Sequence, residues 1–466
     1  MCDYTPTPSQ KKPVIDRVEA TTDTLTSRGG LALFVRYLDR IGLETPVGQW
    51  FGPLRRSAKG LGVWATFVQV CCFFLDGTSR HLVHFDRLKR DAGYAAVLET
   101  TPERLLSSHA VKRFFQAFGW GRIFLFRRLL QRLFLWRLNL AQPAVVILGL
   151  DTMVLDNDEA LQRVGVEPTY KKVKGFQPLQ VTWERFVVDA VFRSGSRHSN
   201  HGNTAAKTLR HLVAAIRTHY RAGVPIVVRM DSGFFDQKLF AVLEELGVGY
   251  IGGGKMYDDL QAYARRLDRG AWTPDRDGRH EWAYFELGNR RQSWAAFRRA
   301  IFCRLVADAT GQKRLDFARP DTVIYTNLGR GEVLDERLRR AGRADLLAAA
   351  GVVAEYHRRG GDELVHRALK EFAAEELPFR QFRPNAAYYY TLLTAFFLYE
   401  TFKEDVCGAV VPLTAYPTTL RRTVLDVAAK IVRHAGAIIL KVTEPVLHHL
   451  HFLSLWARSG APPRLA

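Results

Sequence analysis

The chain has 466 residues, and its content of 47% hydrophobic and 12% aromatic residues excludes intrinsic disorder for most of its length. This length corresponds to about three domains. Lys and Arg number 67 against 47 Asp and Glu, so the formal net charge is +20. A balance this basic favours a polyanionic partner, most often nucleic acid, and the alternative is a basic surface that serves solubility.

The cysteines and the apolar stretches indicate the compartment. The chain has five cysteines and no CxxC pair, which is typical of a protein from a reducing compartment. The N-terminal segment lacks the apolar core of a signal peptide. The longest apolar stretches, Val63–Leu75 and Ala387–Tyr399, are shorter than the roughly 18 residues that a membrane span needs. We therefore expect a cytoplasmic protein with buried core helices and no membrane partner.

The first third of the chain is predicted to be helical. Residues 1–25, rich in Thr, Pro and Lys, indicate a flexible tail. Over residues 26–140 apolar residues recur at helical spacing, as in Gly30–Leu43, and arginines crowd the segment up to Leu140. An Arg-rich helical block suits contact with the DNA backbone, so we predict a DNA-binding domain here. The alternative is an amphipathic bundle whose Arg stems cover the core.

From Ala144 the pattern changes to α/β. The order of predicted elements over residues 141–252 is β-β-β-α-β-α-β. The predicted strands are Val145–Leu155, Leu179–Trp183, Phe186–Phe192, Pro225–Met230 and Gly249–Gly252, and the helices are Thr204–Arg221 and Gln237–Leu246.

The remaining chain divides into three predicted parts. Residues 253–320 form a β-rich insertion, with strands at His280–Leu287 and Ala300–Val306. Residues 321–405 return to the α/β core, with a strand at Thr322–Asn327 and helices after it. Residues 406–466 form a C-terminal helical region, with helices at Leu420–His434 and Glu444–Ala457, and this region is a candidate for dimerisation.

Two aspartates occupy positions that favour a site. Asp151 lies inside the apolar first strand, where a carboxylate is costly unless it is paired or bound to a cation. Asp231 ends the apolar strand before Ser232-Gly233, and sites in α/β sheets are built at strand ends. The alternatives are a buried ion pair for Asp151 and a helix cap for Asp231.

A third group of polar residues is predicted on a later helix. The residues Tyr356, Arg359, Glu363 and Lys370 follow a spacing that places them on one helical face. Such a face suits a cation beside a phosphodiester, because a carboxylate can bind the cation while Arg and Lys bind phosphate oxygens. One alternative is a solvated helix with i,i+4 pairs. Another is that the helix begins at Gly360-Gly361, which would weaken the alignment of Tyr356 and Arg359.

The motif Tyr356-x2-Arg359-x3-Glu363-x6-Lys370 resembles the Y-R-E-K signature of bacterial insertion-sequence DDE transposases. These are cut-and-paste enzymes on an RNase H-like fold. In that family the first Asp lies on the first strand, the second follows the fourth strand, and the Glu is on a later helix. Asp151, Asp231 and Glu363 match these positions. The gap of 132 residues from Asp231 to Glu363 fits the group that carries a β-rich insertion.

The resemblance covers about residues 27–440 and includes the segment Lys174–Leu179. The chain departs from the pattern at Gly361 and at Asp362, an acid next to Glu363. Asp362 is therefore a candidate substitute for Glu363, although the register selects Glu363.

The resemblance implies a fold, a metal site and a reaction. The fold class is α/β, an RNase H-like core with a β-rich insertion, flanked by an N-terminal helical domain and C-terminal helices. Asp151, Asp231 and Glu363 would be catalytic and would hold two Mg²⁺ ions, for which Mn²⁺ can substitute. The enzyme would nick DNA at inverted-repeat ends, excise its element through hairpins and transfer the strands to target DNA.

The resemblance also implies DNA contacts and partners. Tyr356, Arg359 and Lys370 would bind DNA phosphates. Trp294 and Trp282 would be candidates for stacking on a flipped base, and the alternative for each is a place in the core. The partners would be double-stranded inverted-repeat and target DNA, and a second copy of the chain in the synaptic complex. The protein would be associated with the nucleoid in a bacterial cytoplasm.

Two other functions remain as alternatives. The chain could be a catalytically inactive DNA-binding relic or regulator derived from a transposase, or it could be a structure-specific nuclease with an RNase H fold. The intact motif residues argue against decay. The basic helical block and the inserted β-rich segment favour a transposase, because a bare nuclease needs neither.

Overall fold

The computed structural model describes residues 15–54, 60–160, 162–276, 280–307, 321–373 and 375–465. Most of the tail predicted over residues 1–25, and residues 308–320 at the end of the predicted insertion, lie outside the described residues. The end of that tail is a strand, β1 (Thr24–Thr26), which pairs with a strand near the C-terminus.

Helices form the described part of the N-terminal region. They are α1 (Leu31–Arg40), α2 (Glu44–Phe51), α3 (Val63–Asp76), α4 (His84–Leu88), α5 (Ala92–Val97), α6 (Ser108–Gln116) and α7 (Trp120–Ala141). Helix α3 is buried along most of its length, as its apolar sequence predicts. Helix α6 begins after Ser107, whose hydroxyl accepts a hydrogen bond from the amide of Ala110 at 3.2 Å.

The first part of the α/β core follows. Its elements are β2 (Val146–Thr152), β3 (Leu155–Asp156), β4 (Glu167–Pro168), β5 (Lys174–Phe176), β6 (Leu179–Trp183), β7 (Phe186–Val191), α8 (Thr204–His219), β8 (Ile226–Met230), α9 (Gln237–Glu245) and β9 (Gly249–Gly253). The long strands lie in the order β7-β6-β2-β8-β9, where β2, β8 and β9 are parallel and β6 and β7 are antiparallel to their neighbours. This is the core of an RNase H-like α/β fold. The five strands expected from the apolar runs of the sequence are present.

The β-rich segment after β9 extends the same sheet. Its elements are α10 (Asp258–Arg266), β10 (Thr273–Arg276), β11 (Glu281–Asn289), β12 (Arg298–Ala307) and β13 (Thr322–Thr326). Strand β13 pairs antiparallel with β9, and the full order is β10-β11-β12-β13-β9-β8-β2-β6-β7. The strands predicted within the insertion therefore continue the central sheet.

The last part of the chain contributes helices that contact this sheet and a separate β-hairpin. Its elements are α11 (Val333–Arg340), α12 (Ala349–His357), α13 (Gly360–Phe372), α14 (Phe382–Phe402), α15 (Pro417–Leu420), β14 (Ala429–His434), β15 (Ala437–Val442), α16 (Glu444–His449) and α17 (Phe452–Gly460). Helix α14 is buried on all sides and contacts α7 and α3. Its Tyr389 hydroxyl accepts a hydrogen bond from Gln180 of β6 at 2.7 Å, which ties the helix to the core.

The helix predicted at Leu420–His434 is wrong over its second half. Residues 429–442 form a hairpin whose turn, Ala435-Gly436, has φ values of 49° and 80°. Positive φ at both turn residues is what tight hairpins require. Strand β14 also pairs with β1, about 400 residues earlier in the chain, so tertiary pairing on both sides holds this segment as a strand. Among the helices of the described ranges, none combines the length and apolarity that crossing a bilayer requires.

Candidate active site

Asp151 and Asp231 lie side by side at one edge of the central sheet. Asp151 is near the end of β2, and Asp231 directly follows β8, the parallel neighbour in which Met230 is paired with Leu150. The Asp231 carboxylate accepts a hydrogen bond from the amide of Gly233 at 2.9 Å and so caps the following turn. This hydrogen bond goes to Oδ1 and leaves Oδ2 for a ligand, so Asp231 can cap the turn and also take part in a site.

The two carboxylates share an environment that disfavours their charge. Burial, then the charge of Asp231, raises the pKa of Asp151 to about 7. Burial also raises the pKa of Asp231, and the charge of Arg359 opposes this shift. Within the described residues, neither carboxylate has a Lys or Arg nitrogen within 4.0 Å. Two desolvated, adjacent carboxylates without a cationic partner are suited to bind a divalent cation.

Glu363 lies at the rim of this pair. It is in the first turn of α13, its side chain is 65% exposed, and its Oε1 is 3.7 Å from Nη2 of Arg359. Its charge contributes to the raised pKa of Asp231, so the two groups are within electrostatic range. In the ranges that the structure describes, no three His, Cys, Asp or Glu side chains are close enough to hold an ion as they stand. The site is an aspartate pair with a glutamate able to approach it.

The motif helix is interrupted at Arg358 and Arg359. Helix α12 ends at His357 and α13 begins at Gly360, so the interpretation in which a helix begins at the glycine pair is correct. Arg358 and Arg359 keep right-handed helical backbone angles, and the Arg359 guanidinium is 5.9 Å from the centroid of the Tyr356 ring. Burial raises the pKa of Tyr356, whose hydroxyl is close to Gly253 at the end of β9. Tyr356 and Arg359 therefore remain together beside Asp231.

Asp362 has a different role from its neighbour Glu363. Its buried carboxylate accepts hydrogen bonds from Thr182 Oγ1 at 3.0 Å and from Arg229 Nη2 at 3.0 and 3.1 Å. Because these partners already satisfy Asp362, the exposed Glu363 is the carboxylate that α13 has available for a cation.

Lys370 is near the other end of α13. Its Nζ is 2.6 Å from Oε2 of Glu375, and the same oxygen accepts a hydrogen bond from the amide of Asp156 at 3.1 Å. The structure thus joins Tyr356 and Arg359 to the aspartate pair, whereas Lys370 forms an ion pair next to β3.

Both tryptophans predicted to stack on a base make ring contacts within the protein. Trp294 is 8% exposed and packs against Phe235 and Tyr325, with ring centroids 5.3 and 5.4 Å apart. Trp282 is stacked on His357, with centroids 3.9 Å apart. Trp294 therefore lies in the core, which is the alternative to base stacking. The ring of Trp282 is already stacked on His357.

The structure brings two further residues to the site that sequence reasoning missed. His366 Nδ1 is 3.7 Å from Oδ2 of Asp151, and burial, then the charge of Lys370, lowers the pKa of His366 to about 4. Its position three residues after Glu363 on one helix was a usable signal. Tyr170 has Asp151, Asp231 and Glu363 among the charges that add to burial in raising its pKa. It lies in a turn, and no sequence pattern indicates its position.

Comparison with known proteins places the chain in a family. No match was found among curated proteins. Among solved structures, the chain is similar to one described as a cryo-EM structure of piggyBac transposase synaptic complex with hairpin DNA. The two are 13% identical over 86% of this chain and 81% of that chain, with a TM-score of 0.39, which is too distant to bear on the site. Residues 8–458, nearly the whole chain, match the family model for transposase DDE domain group 1. The chain belongs to this family of DDE transposases.

Proposed function

We propose that the protein nicks DNA at the inverted-repeat ends of its own insertion sequence and transfers the freed strands into target DNA. One observation carries this proposal, namely the pair of desolvated carboxylates at the ends of two adjacent parallel strands, Asp151 and Asp231, without a cationic partner in the described chain. The family match supports transposition, and the Y-R-E-K spacing supports a bacterial insertion sequence as the source. The excision would pass through DNA hairpins.

DDE transposases use divalent metal ions, and the donor set of this site fits them. Asp151, Asp231 and Glu363 supply carboxylate oxygens, which are the ligands that Mg²⁺ and Mn²⁺ prefer. We assign these three residues to two Mg²⁺ ions. Glu363 can approach the aspartates because its side chain is mostly exposed and its contact with Arg359 is long, at 3.7 Å. Bound there, the ions would activate the attacking water or 3′-hydroxyl and stabilise the leaving oxygen.

The protein residues around the aspartates would position the DNA. Arg359 is within electrostatic range of Asp231 and has its guanidinium available for a phosphate oxygen once Glu363 moves toward the aspartates. The Tyr356 hydroxyl, on the same side, can donate a hydrogen bond to a phosphate. Lys370 would exchange its partner Glu375 for a phosphate.

The partners follow from this reaction. The substrates are double-stranded inverted-repeat ends and target DNA, in agreement with the net charge of +20. Cutting two ends together requires two protomers, so we propose a homodimer in the synaptic complex. The reaction would take place on nucleoid DNA in the bacterial cytoplasm.

A cleavage assay tests the proposal. A labelled duplex carrying the candidate inverted repeat from the flanks of the coding region is incubated with the protein in Mg²⁺, in Mn²⁺ and in EDTA. We expect metal-dependent nicking at the repeat boundary that Asp151→Ala and Glu363→Gln abolish without loss of end binding. Glu245→Gln, which changes an exposed carboxylate paired with Arg210 on α8, is the matched control and should cut normally.

Other outcomes of the same assay would identify the alternative functions. Specific end binding without cleavage in either metal would identify a DNA-binding relic or regulator. Cleavage of branched DNA with no preference for the repeat would identify a structure-specific nuclease. Cleavage of end pairs by a single protomer, measured by sizing the complex, would contradict the dimer.

A further inference from the structure

A small second sheet lies beside the aspartate pair. Strands β3, β4 and β5 form it in the order β3-β5-β4, and Leu155 is paired with Phe176. Strand β3 begins three residues after Thr152, the last residue of β2. Strand β5 leads into β6, whose Leu179 is paired with Thr152. The small sheet therefore stands at the carboxyl end of β2, the edge of the central sheet at which Asp151 and Asp231 lie.

The turn between β4 and β5 is closed by its own backbone. The amide of Thr169 donates to the carbonyl of Val173 at 2.9 Å, and the Thr169 hydroxyl donates to the same carbonyl at 2.8 Å. The amide of Lys172 donates to the Thr169 carbonyl at 3.0 Å, and Lys172 has a φ of 64°, which is uncommon for a residue with a side chain. These bonds define the tip of the turn and leave the side chains of Tyr170, Lys171 and Lys172 outside it.

The side chains of this tip are exposed and basic. Tyr170 is 61% exposed, and Lys171, Lys172 and Lys174 are exposed as well. Throughout the described ranges, none of these lysines has a carboxylate within ion-pair distance. The nearby Glu167 is bonded to Ser196 instead. Unpaired lysines beside a group of carboxylates form a charge pattern that suits a DNA strand, because the lysines can bind phosphates that flank the one at the metal site.

The aromatic ring of Tyr170 is available to a ligand. The Nζ of Lys171 lies over one face of the ring, 5.8 Å from its centroid, and Tyr170 is nevertheless 61% exposed. The small sheet brings this turn to the edge of the central sheet that carries the aspartates. In agreement, burial and then the charges of Asp151, Asp231 and Glu363 raise the pKa of Tyr170. By contrast, the rings of Trp294 and Trp282 are already packed against protein rings.

We propose that the segment Tyr170–Lys172 is a DNA-strand contact at the active site, in which the Tyr170 ring stacks on a base next to the scissile phosphate while Lys171 and Lys172 bind the flanking phosphates. This inference rests on the proposed function, because it takes the DNA end as the ligand. Bases in an intact duplex are already stacked on each other, so Tyr170 contacts a base that has left the stack near the cut. Stacking of this kind tolerates any base sequence.

Fluorescence of 2-aminopurine placed at each position around the cut tests the stacking. 2-Aminopurine is quenched in the duplex stack and brightens when it leaves the stack. In EDTA, the Tyr170 ring of the wild type should keep the probe quenched at the position that has left the stack, and Tyr170→Phe should keep this quench. Tyr170→Ala should lose the quench and slow metal-dependent nicking roughly tenfold, as expected for the loss of one base–aromatic stack. The matched control is Phe297→Ala, because Phe297 is also 61% exposed and also has a cation, Arg290, near its ring.

The result can separate this inference from the proposed function. If the wild type cuts and Tyr170→Ala cuts equally fast with an unchanged quench, the strand contact is wrong and the transposase assignment stands. If Tyr170→Phe behaves like Tyr170→Ala, the hydroxyl makes the contact and stacking is wrong. If the wild type binds the end but does not cut it in either metal, the proposed function fails while the quench still tests the contact.

The salt dependence of DNA binding tests the phosphate contact. In a plot of the logarithm of the binding constant against the logarithm of the salt concentration, Lys171→Ala should reduce the magnitude of the slope by about 1. An unchanged slope would contradict the phosphate contact.

Discussion

Arg229 and Asp362 form a buried ion pair that ties helix α13 to the sheet. The Arg229 guanidinium donates to the Asp362 carboxylate at 3.0 and 3.1 Å, and it also donates to Glu355 of α12 at 3.0 Å. Arg229 is two residues before Asp231 on β8, and Asp362 is next to Glu363 on α13. This pair, together with the hydrogen bond from Thr182, therefore links the helix that carries Glu363 to the strands that carry the aspartates.

The adjacent acids Asp362 and Glu363 should respond in opposite ways to loss of charge. Asp362→Asn weakens a buried pair and leaves part of the Arg229 charge uncompensated, so we expect a loss of about 3 kcal/mol in the free energy of unfolding. Glu363→Gln changes a mostly exposed side chain and should alter stability by less than about 0.5 kcal/mol, yet abolish nicking. Urea unfolding and the cleavage assay measure the two effects. Full cleavage by Glu363→Gln would contradict its role in the site, and unchanged stability of Asp362→Asn would contradict its structural role.

Gly149 should be required for the approach of α13 to the sheet. A Cβ at this position would lie 2.6 Å from the Asp362 carboxylate and would also collide with the Thr182 hydroxyl. Gly149→Ala should therefore push α13 outward, lower the thermal unfolding temperature and slow nicking. Gly360→Ala, on α13 itself, is the control, because a Cβ at Gly360 meets nothing within 4 Å and Ala favours the helix. Equal melting temperatures of these two variants would show that α13 is not held against β2 by this contact.

The stability conferred by Asp151 should depend on pH in a defined direction. Because the pKa of Asp151 is raised from 3.8 to about 7 in the folded state, its contribution is fully present below pH 3.8 and is lost as the pH rises through 7. In EDTA, Asp151→Asn should therefore be more stable than the wild type at pH 8, by roughly 1–3 kcal/mol, and the difference should vanish near pH 4.

Urea unfolding at several pH values measures this difference in the free energy of unfolding. The contributions of titratable groups that both proteins share cancel in the difference. Mg²⁺ should stabilise the wild type at pH 8 and the variant much less, because the ion replaces the proton at this carboxylate. A difference between the two proteins that stays constant from pH 4 to pH 8 would show that Asp151 is not desolvated.

Trp294 should act through the core. It packs against Phe235 and Tyr325 and is nearly buried, so Trp294→Ala should cost about 3–5 kcal/mol of unfolding free energy. Trp294→Phe should keep most of this stability and leave the 2-aminopurine quench unchanged. A lost quench in Trp294→Phe at unchanged stability would instead assign base stacking to Trp294.

The strands and the aspartates they carry could be predicted because the signals are local. The apolar run that contains Asp151 and the one that ends at Asp231 indicate buried strands, and the alternation of strands and helices predicts the α/β core. The prediction failed at residues 429–434, where a helix was expected, because strand pairing overrides the local helical pattern there. Strand β14 pairs with β15 across the Ala435-Gly436 turn and also with β1, about 400 residues earlier in the chain. The place of Tyr170 was not predictable for the same reason, since only the position of the small sheet brings its turn to the aspartates.

The sequence by itself determined the class of protein and the α/β core, and it singled out Asp151, Asp231 and Glu363 as candidates, because residue type, apolar periodicity and fixed spacing are properties of short segments. Only the tertiary structure decided how the adjacent acids Asp362 and Glu363 are paired. The two differ by one position on a helix, and that step turns one carboxylate toward Arg229 and Thr182 and the other toward solvent. It also decided that the rings of Trp294 and Trp282 are packed while that of Tyr170 is exposed, since burial results from contacts between distant parts of the chain.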